Sequence, residues 1–361
     1  MADSCIEMFE ETFYPKAFLT LAEKTIEVFE AQEEEIIKEW KAGIKQYLTE
    51  LENLQKNRLA EEVSELHLSF LYTSLLSGKP GFRIDSYGEG GRLGAESVLT
   101  EELSADWLGT CLEEFTRELE QYTLAESIRR FIRPAELEVL RLRAVRSLLY
   151  YFTSRFRYLI SDILDFRQLA KVEKEESFVI QMGEYMDWQK TLYALLPEVD
   201  IFNCDKNTLL SFRRFSAFSY QDKVFSGLRV NSARFLDCTF KDTVIEDCIM
   251  NDCLFTGCRF ENVKIQDTKM KGCLFLDCTM KNTVWEMVTF FEDDIDEEVE
   301  YYEPAEFYRC QLTDNQFIES NLSGCVVTES DMEKVTVFGG RAENSDFLEQ
   351  AGIEWISKQE E

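Results

Sequence analysis

Eleven cysteines and a single histidine are the residues of this 361-residue chain best equipped to hold a metal ion or act as nucleophiles. Cys253 and Cys258, and again Cys273 and Cys278, stand five apart, which raises the idea of a thiolate metal site. That spacing belongs to neither a zinc knuckle nor a zinc ribbon, and one histidine is too few for a His-based zinc cluster. His67 falls in a stretch that reads as helical, where a lone histidine is structural far more often than catalytic. Gly88, Gly90, Gly91 and Gly94 invite a phosphate-loop reading. A GxGxxG motif from Gly88 needs glycine where Leu93 stands, however, and no Gly-Lys-Ser/Thr follows. Residues 82–99 therefore read as a glycine-rich surface turn or hairpin. Nucleophile triads and HExxH patterns are absent from the sequence, and carboxylate pairs are too plentiful to single one out. No catalytic, cofactor-binding or metal-binding residue is assigned, and the chain reads as a non-enzyme.

Two charged stretches are candidates for interaction instead. Residues 129–157 hold eight arginines (Arg129, Arg130, Arg133, Arg141, Arg143, Arg146, Arg155, Arg157) against Glu136 and Glu138, in a chain of net charge −30. With Tyr150, Tyr151, Phe152 and Phe156 interleaved, a nucleic-acid face is one reading. Neutralisation of acidic helices or of an acidic loop is the preferred one, because the overall charge repels a polyanion. Residues 292–304 carry eight acids and no base, among them Glu292, Asp293, Asp294, Asp296, Glu297, Glu298 and Glu300. This segment is expected to dock on a basic surface, that of a partner or the arginines of this or a second chain.

The elements that position these groups follow from a period of five. From Phe215 to Phe290 an apolar residue occupies every fifth position: Phe215, Tyr220, Phe225, Val230, Phe235, Phe240 and onward. Two residues before most centres sits a small or β-branched side chain, and two residues after them Asp, Asn or Gly dominates, which is turn chemistry. Neither 3.6 nor 2 fits this period, so the stretch is a solenoid and not an ordinary helix or strand. Centres twenty apart match in type, as in Phe215, Phe235, Phe255 and Phe275, or the small residues Cys238, Cys258 and Cys278 and the pair Cys253 and Cys273. Matched columns at that interval imply four sides per turn, with coils roughly 4.8 Å apart.

The pattern resembles the pentapeptide-repeat family, which implies a right-handed four-sided β-helix over about residues 211–347. The register breaks after Phe290 and resumes at Phe307, so residues 291–304 leave the rod as a loop. Nine further repeats follow. Eight cysteines (Cys238, Cys248, Cys253, Cys258, Cys273, Cys278, Cys310, Cys325) occupy the small slot. The slot also accepts Ala, Thr, Val and Ser, so it asks for a small buried side chain, which free cysteine is. Stacked cysteines at the coil spacing lie beyond the usual disulfide Cβ separation of roughly 3.5–4.5 Å, and a reduced, cytoplasmic chain fits best.

Residues 1–200 read as an α-helical domain. Helical spacing of apolar residues predicts a long amphipathic helix over 14–59, or two broken near 33–35, then helices over 58–76, 101–122, 124–132, 134–169 and 176–196. Residues 200–210 are expected to cap the first coil, and the tail after 350, with Ile353, Trp355 and Ile356, the far end. The fold class is thus a helical domain (1–200), a repeat β-helix (201–350) with an acidic insertion, and a C-terminal cap (351–361). No signal peptide or membrane span is evident.

Function follows by elimination and from the resemblance. The expected role is a bacterial-type protein–protein interaction module or scaffold with a protein partner, self-association included. The best-known members of the family are acidic rods that mimic a DNA duplex and occupy the DNA-binding saddle of gyrase, so a gyrase- or topoisomerase-directed mimic is the alternative. Residues 213–290 hold eleven Lys and Arg against ten Asp and Glu, whereas a duplex mimic spreads acid along its rod. An enzyme or small-ligand binder seated in the helical domain is the third class.

Overall fold

The computed structural model describes residues 2–94, 97–125, 131–205, 207–292 and 302–356. The chain divides into two compact units, with the boundary in sequence between Ala194 and Leu195.

The N-terminal unit is built around α2 (Tyr14–Lys56), which follows α1 (Ala2–Thr12) and runs 43 residues without a break. At 1.5 Å per residue it is ~65 Å long. Its buried stripe includes Ala17, Leu21, Phe29, Ile36, Trp40, Ile44, Tyr47 and Leu51, the helical period expected from the sequence. Against this stripe pack α5 (Asp106–Ala125) and α6 (Pro134–Ile163). Pro134 opens α6 at a position whose N–H has no helical partner, and the Glu136 side chain bonds back to the Arg133 N–H. Phe29 meets Trp107, Phe152 and Phe156 at ring-centroid distances of 5.1, 5.0 and 5.6 Å, and Trp40 stacks on Phe156 at 4.4 Å.

A five-stranded sheet completes this unit, and here the helical expectation for 58–76 and 176–196 is corrected. The strands are β1 (Val63–Phe70), β2 (Gly81–Tyr87), β3 (Thr100–Ser104), β4 (Lys174–Glu184) and β5 (Gln189–Leu195), in the order β3-β2-β1-β4-β5. β1 pairs antiparallel with β2 and parallel with β4. In β1 the residues Leu66, Leu68 and Phe70 alternate with Glu65, His67 and Ser69, a period of two that puts apolar side chains on one face. Residues 176–196 form two strands around a turn in which Met186 has φ 58°. Gly183 permits that turn, because a Cβ there would lie 2.2 Å from the Trp188 carbonyl oxygen. The apolar face (Leu66, Leu68, Phe70, Phe82, Ile84, Ile180, Met182) is buried with the helices in one core. The short helices α3 (Tyr72–Leu76), α4 (Gly91–Gly94) and α7 (Phe166–Leu169) fill connections. Of the helix expected over 124–132, residues 126–130 lie outside the described residues. No described helix is long and apolar enough to cross a membrane.

The C-terminal unit is a four-sided β-solenoid of stacked parallel coils. Three sides are continuous ladders of three- or four-residue strands, and the longest has seven rungs. The fourth side is joined by single bridges running from Arg229 through Ile249, Lys269, Thr289 and Asn321 to Arg341. Phe215 pairs with Phe235, Phe235 with Phe255, and Phe255 with Phe275, the interval of twenty read from the sequence. Their rings stack at 4.8–5.0 Å through to Phe307. Past the insertion Phe275 pairs with Phe307 in register. Corner residues two after each centre adopt left-handed backbone: Asp222, Asp237, Asp242, Asp247, Asp252, Asn262, Asp267, Asp277 and Asn282 all have φ of 48–57°. Asp, Asn and Gly tolerate that region best, which explains their recurrence there.

At the solenoid's start, Ile201 and Leu210 are buried and the Phe202 ring meets Phe225 at 4.9 Å. At its end Phe347 is the buried plug, meeting Phe307 and Phe317 at 5.5 and 5.2 Å. Ile353–Ile356 is the last rung of the seven-rung ladder. Ile353 packs on the core, while Trp355 and Ile356 are exposed along this added rung; residues 357–361 of the expected cap lie outside the described residues.

Candidate functional site

The small slot inside the coil does more than admit compact side chains. Cys238, Cys258, Cys278 and Cys310 each direct Sγ to the carbonyl of the preceding coil's Phe215, Phe235, Phe255 or Phe275, at 3.2–3.3 Å. Cys253 and Cys273 do the same to Val230 and Met250. Thr243 donates to Tyr220 at 2.7 Å and Ser320 to Trp285 at 3.0 Å. The slot therefore also favours a donor, because the carbonyl of the preceding coil's central apolar residue needs one. These cysteines are buried and free, and burial pushes the thiols of Cys248 and Cys325 up, away from the reactive thiolate. Among the described residues no group of three or more His, Cys, Asp and Glu side chains is placed to hold a metal ion.

The arginines of α6 are engaged within the N-terminal unit. Arg133 bonds Glu136 at 2.9 Å and Arg141 bonds Glu138 at 3.3 Å. Arg143 reaches Glu10 at 3.4 Å, Arg146 reaches the buried Glu184 at 3.5 Å, and Arg155 reaches Glu33 at 3.0 Å. Arg157 lies over the Tyr158 ring at 5.5 Å. Neutralisation of acidic neighbours is thus what this helix shows. Arg129 and Arg130 lie outside the described residues.

Of the acidic stretch, Glu292 is described, whereas Asp293, Asp294, Asp296, Glu297, Glu298 and Glu300 lie outside the described residues. Glu292 accepts from Lys271 Nζ at 2.8 Å and lies 3.5 Å from Lys269 Nζ. The Lys271 bond, more than Lys269, holds the Glu292 carboxyl below its usual range. Lys271 also sits 5.3 Å from the Tyr302 ring centroid, so both ends of the excursion are tied to one buried lysine.

The outer sides of the solenoid differ sharply. On the side centred on Phe235, Phe255, Phe275 and Phe307, the flanking outward positions hold Leu236, Leu254, Leu274, Leu276 and Tyr308, all half-buried, together with Arg234, Thr256 and Glu306, and then the exposed Val326 beside Thr328. Leu254 pairs with Leu274, and Leu276 with Tyr308, so the two columns carry short apolar runs, with Thr256 between Leu236 and Leu276 in one and Arg234 and Glu306 bounding the other. The next side carries Thr239, Lys241, Arg259, Glu261, Thr279 and Lys281 at the same positions. Elsewhere coils are laced by polar ladders. Asn282 donates to Asn262 at 2.9 Å and Asn262 to Asp242 at 2.8 Å, and Arg309 clasps Asp277 through two bonds of 2.7 Å.

A second cluster escaped the sequence reading. Strand alternation puts Glu65, His67 and Ser69 of β1 beside Tyr87, Asp85 and Arg83 of β2 on the polar face of the sheet. His67 and Asp85 are 2 % and 0 % exposed, unusual for a sheet face without apolar cover. His67 Nε2 lies 2.8 Å from Glu65 Oε2, and its ring meets Tyr87 edge-on at 5.3 Å. Burial lowers the His67 pKa against the pull of Glu65, and raises that of Tyr87 to about 12. Arg83 and Thr100 both bond Asp85 Oδ1 at 2.8 Å. The signal was present in the sequence as the alternation of 65–70, masked by the helical reading of leucine and glutamate.

Residues 230–275 match the family model for pentapeptide repeats, in eight copies. No curated protein matches the sequence. Among solved structures, a pentapeptide repeat protein (Rfr23) from the cyanobacterium Cyanothece 51142 is 8% identical with a TM-score of 0.19, over 34% of this chain and 90% of that one. QnrB1, a plasmid-mediated fluoroquinolone resistance protein, is 11% identical in its full-length form with a TM-score of 0.12, over 40% and 93%. HetL, a pentapeptide repeat protein involved in heterocyst differentiation regulation from the cyanobacterium Nostoc sp. strain PCC 7120, is 7% identical with a TM-score of 0.10, over 36% and 85%.

Proposed function

Since the C-terminal part of this chain is a pentapeptide-repeat β-solenoid, a rod with a packed interior and flat outer sides, we propose that the protein is a non-enzymatic interaction module that docks a protein partner on one side of that rod. The observation that carries this reading is the cluster of Leu236, Leu254, Leu274, Leu276 and Tyr308, rimmed by Arg234 and Glu306, beside an entirely polar neighbouring side. An outward apolar cluster with a polar rim on a rigid sheet is a surface for another protein. The domains assigned from sequence, 1–200 and 201–350, then divide into a platform of helices and one sheet and a docking rod, in a reducing, cytoplasmic setting that suits free core thiols. The acidic stretch from Glu292 supplies a salt-sensitive second contact to a basic partner surface.

The test is affinity capture from lysate with the tagged full chain, at low and high salt, compared with a Leu254→Glu, Leu274→Glu double variant. The expected result is one stoichiometric partner held by the parent and lost by the variant, with an unchanged circular dichroism spectrum. Equal capture by both overturns the docking side. Recovery of gyrase or topoisomerase subunits, released by salt, would favour the duplex-mimic alternative. Against that alternative stands the balanced charge of residues 213–290, whose Lys241–Glu261 and Lys264–Glu286 pairs neutralise one another across coils at 3.4 and 2.8 Å.

A further inference from the structure

We infer that the polar face of the N-terminal sheet is a binding site for a small zwitterion of the α-amino-acid kind, held between the carboxylate of Asp85 and the guanidinium of Arg92. This face is roofed. After β2 the chain turns back over the strands through Gly91 (φ 59°), so close that a Cβ there would lie 2.4 Å from the Glu65 carboxylate. The Arg92 N–H donates to Glu65 Oε2 at 3.2 Å, and its Nη2 donates to the Asp187 carbonyl at 2.6 Å, joining this roof to the β4–β5 turn. Tyr185 of the same turn lies 4.9 Å from the Arg83 guanidinium carbon.

Under the roof the hydrogen bonding is incomplete at two charged atoms. Asp85 Oδ1 takes bonds from Arg83 and Thr100, but Asp85 Oδ2 is buried with no partner among the described residues. Arg92 Nη1 is likewise buried with no partner among them. Buried charged atoms are costly to leave unpaired, and native proteins seldom do so without an occupant. The Arg92 N–H bonds Glu65, Glu65 bonds His67, and His67 is the cross-strand partner of Asp85, so the two residues border one region. One open position is an acceptor on an anion and the other a donor on a cation. An ammonium fits the first and a carboxylate the second. A phosphate would meet Asp85 and a diamine would meet Arg92, each against a like charge. The four charged side chains, Glu65, Arg83, Asp85 and Arg92, sum to zero, and burial disfavours the charged form of His67, so the site suits a ligand of no net charge.

The experiment is isothermal titration and thermal shift on the full chain with each of the twenty L-amino acids, and with inorganic phosphate and putrescine as single-sign controls. Saturable binding of an amino acid with neither control binding is expected. Arg92→Met, at a half-exposed position, should weaken that binding about tenfold or more by removing one charge-assisted bond, with an unchanged circular dichroism spectrum. Asp85→Asn tests the other end, and Thr100→Val keeps the question open to measurement if that variant does not fold. No amino acid binding at millimolar concentration, which would mean that water alone joins the two atoms, overturns the proposal. So does binding that survives Arg92→Met.

Discussion

At the corners of the solenoid the backbone conformation is set by the fold and the residue only tolerates it. Met287, with φ 52°, occupies a corner that Asp, Asn or Gly fills in most other repeats, and its side chain is 47 % exposed. A non-glycine residue in left-handed backbone costs roughly 1–2 kcal/mol, less for Asn, whose short amide bonds locally. Met287→Asn is therefore expected to raise the unfolding free energy by about 0.5–1 kcal/mol, read as a higher urea midpoint at unchanged slope. A lower midpoint would show that Met287 contributes more by packing than its backbone costs. At this scale the sequence was informative in an asymmetric way. The corner residues announced their conformation, because few residue types accept it. The slot cysteines announced only their size, because a thiol's bond to a carbonyl twenty-three residues earlier has no one-dimensional signature.

Elements show where a rung is held as well as where it is paired. The bond from Lys271 to Glu292 fixes the point at which the chain departs from the coil. Because Glu292 is held below its usual pKa, its contribution is fully present above the unfolded value of about 4.3 and is lost as pH falls through the lower folded value. The stability difference between the parent and Glu292→Gln should be of order 1 kcal/mol or less near pH 7 and vanish once the pH has fallen below the folded value. Paired denaturation curves across that range measure it, and a difference that persists at low pH would assign the effect to shape and not to charge. The N-terminal strands are the elements the sequence hid. In VSELHLSF, Leu66, Leu68 and Phe70 satisfy a strand, yet Val63, Leu66 and Phe70 also fit helical spacing. What decides is the register with residues 81–87 and 174–184, distant in sequence and invisible to any local pattern. The long helix needed no such partner to be recognised, since its stripe repeats over forty-three residues.

For the whole molecule, charge is distributed by region. The chain carries −30, yet residues 213–290 are balanced to within one charge. Self-repulsion is therefore concentrated in the helices, the acidic stretch and the last coils. Surface repulsion is screened once the Debye length falls below the spacing of the charges. Raising NaCl from about 20 mM to about 500 mM, over which that length falls from roughly 20 Å to roughly 4 Å, is expected to raise the melting temperature by several degrees. A fall would mean that the helical ion pairs outweigh the repulsion.

The pairing of Phe275 with Phe307 is as square as that of Phe255 with Phe275, although thirty-two residues separate the first pair and twenty the second. The ladder is thus indifferent to chain length at that corner, provided the two ends return to Lys271. It is a graft point: foreign sequence of many lengths spliced between Glu292 and Tyr302 is expected to leave the rungs on either side where they are.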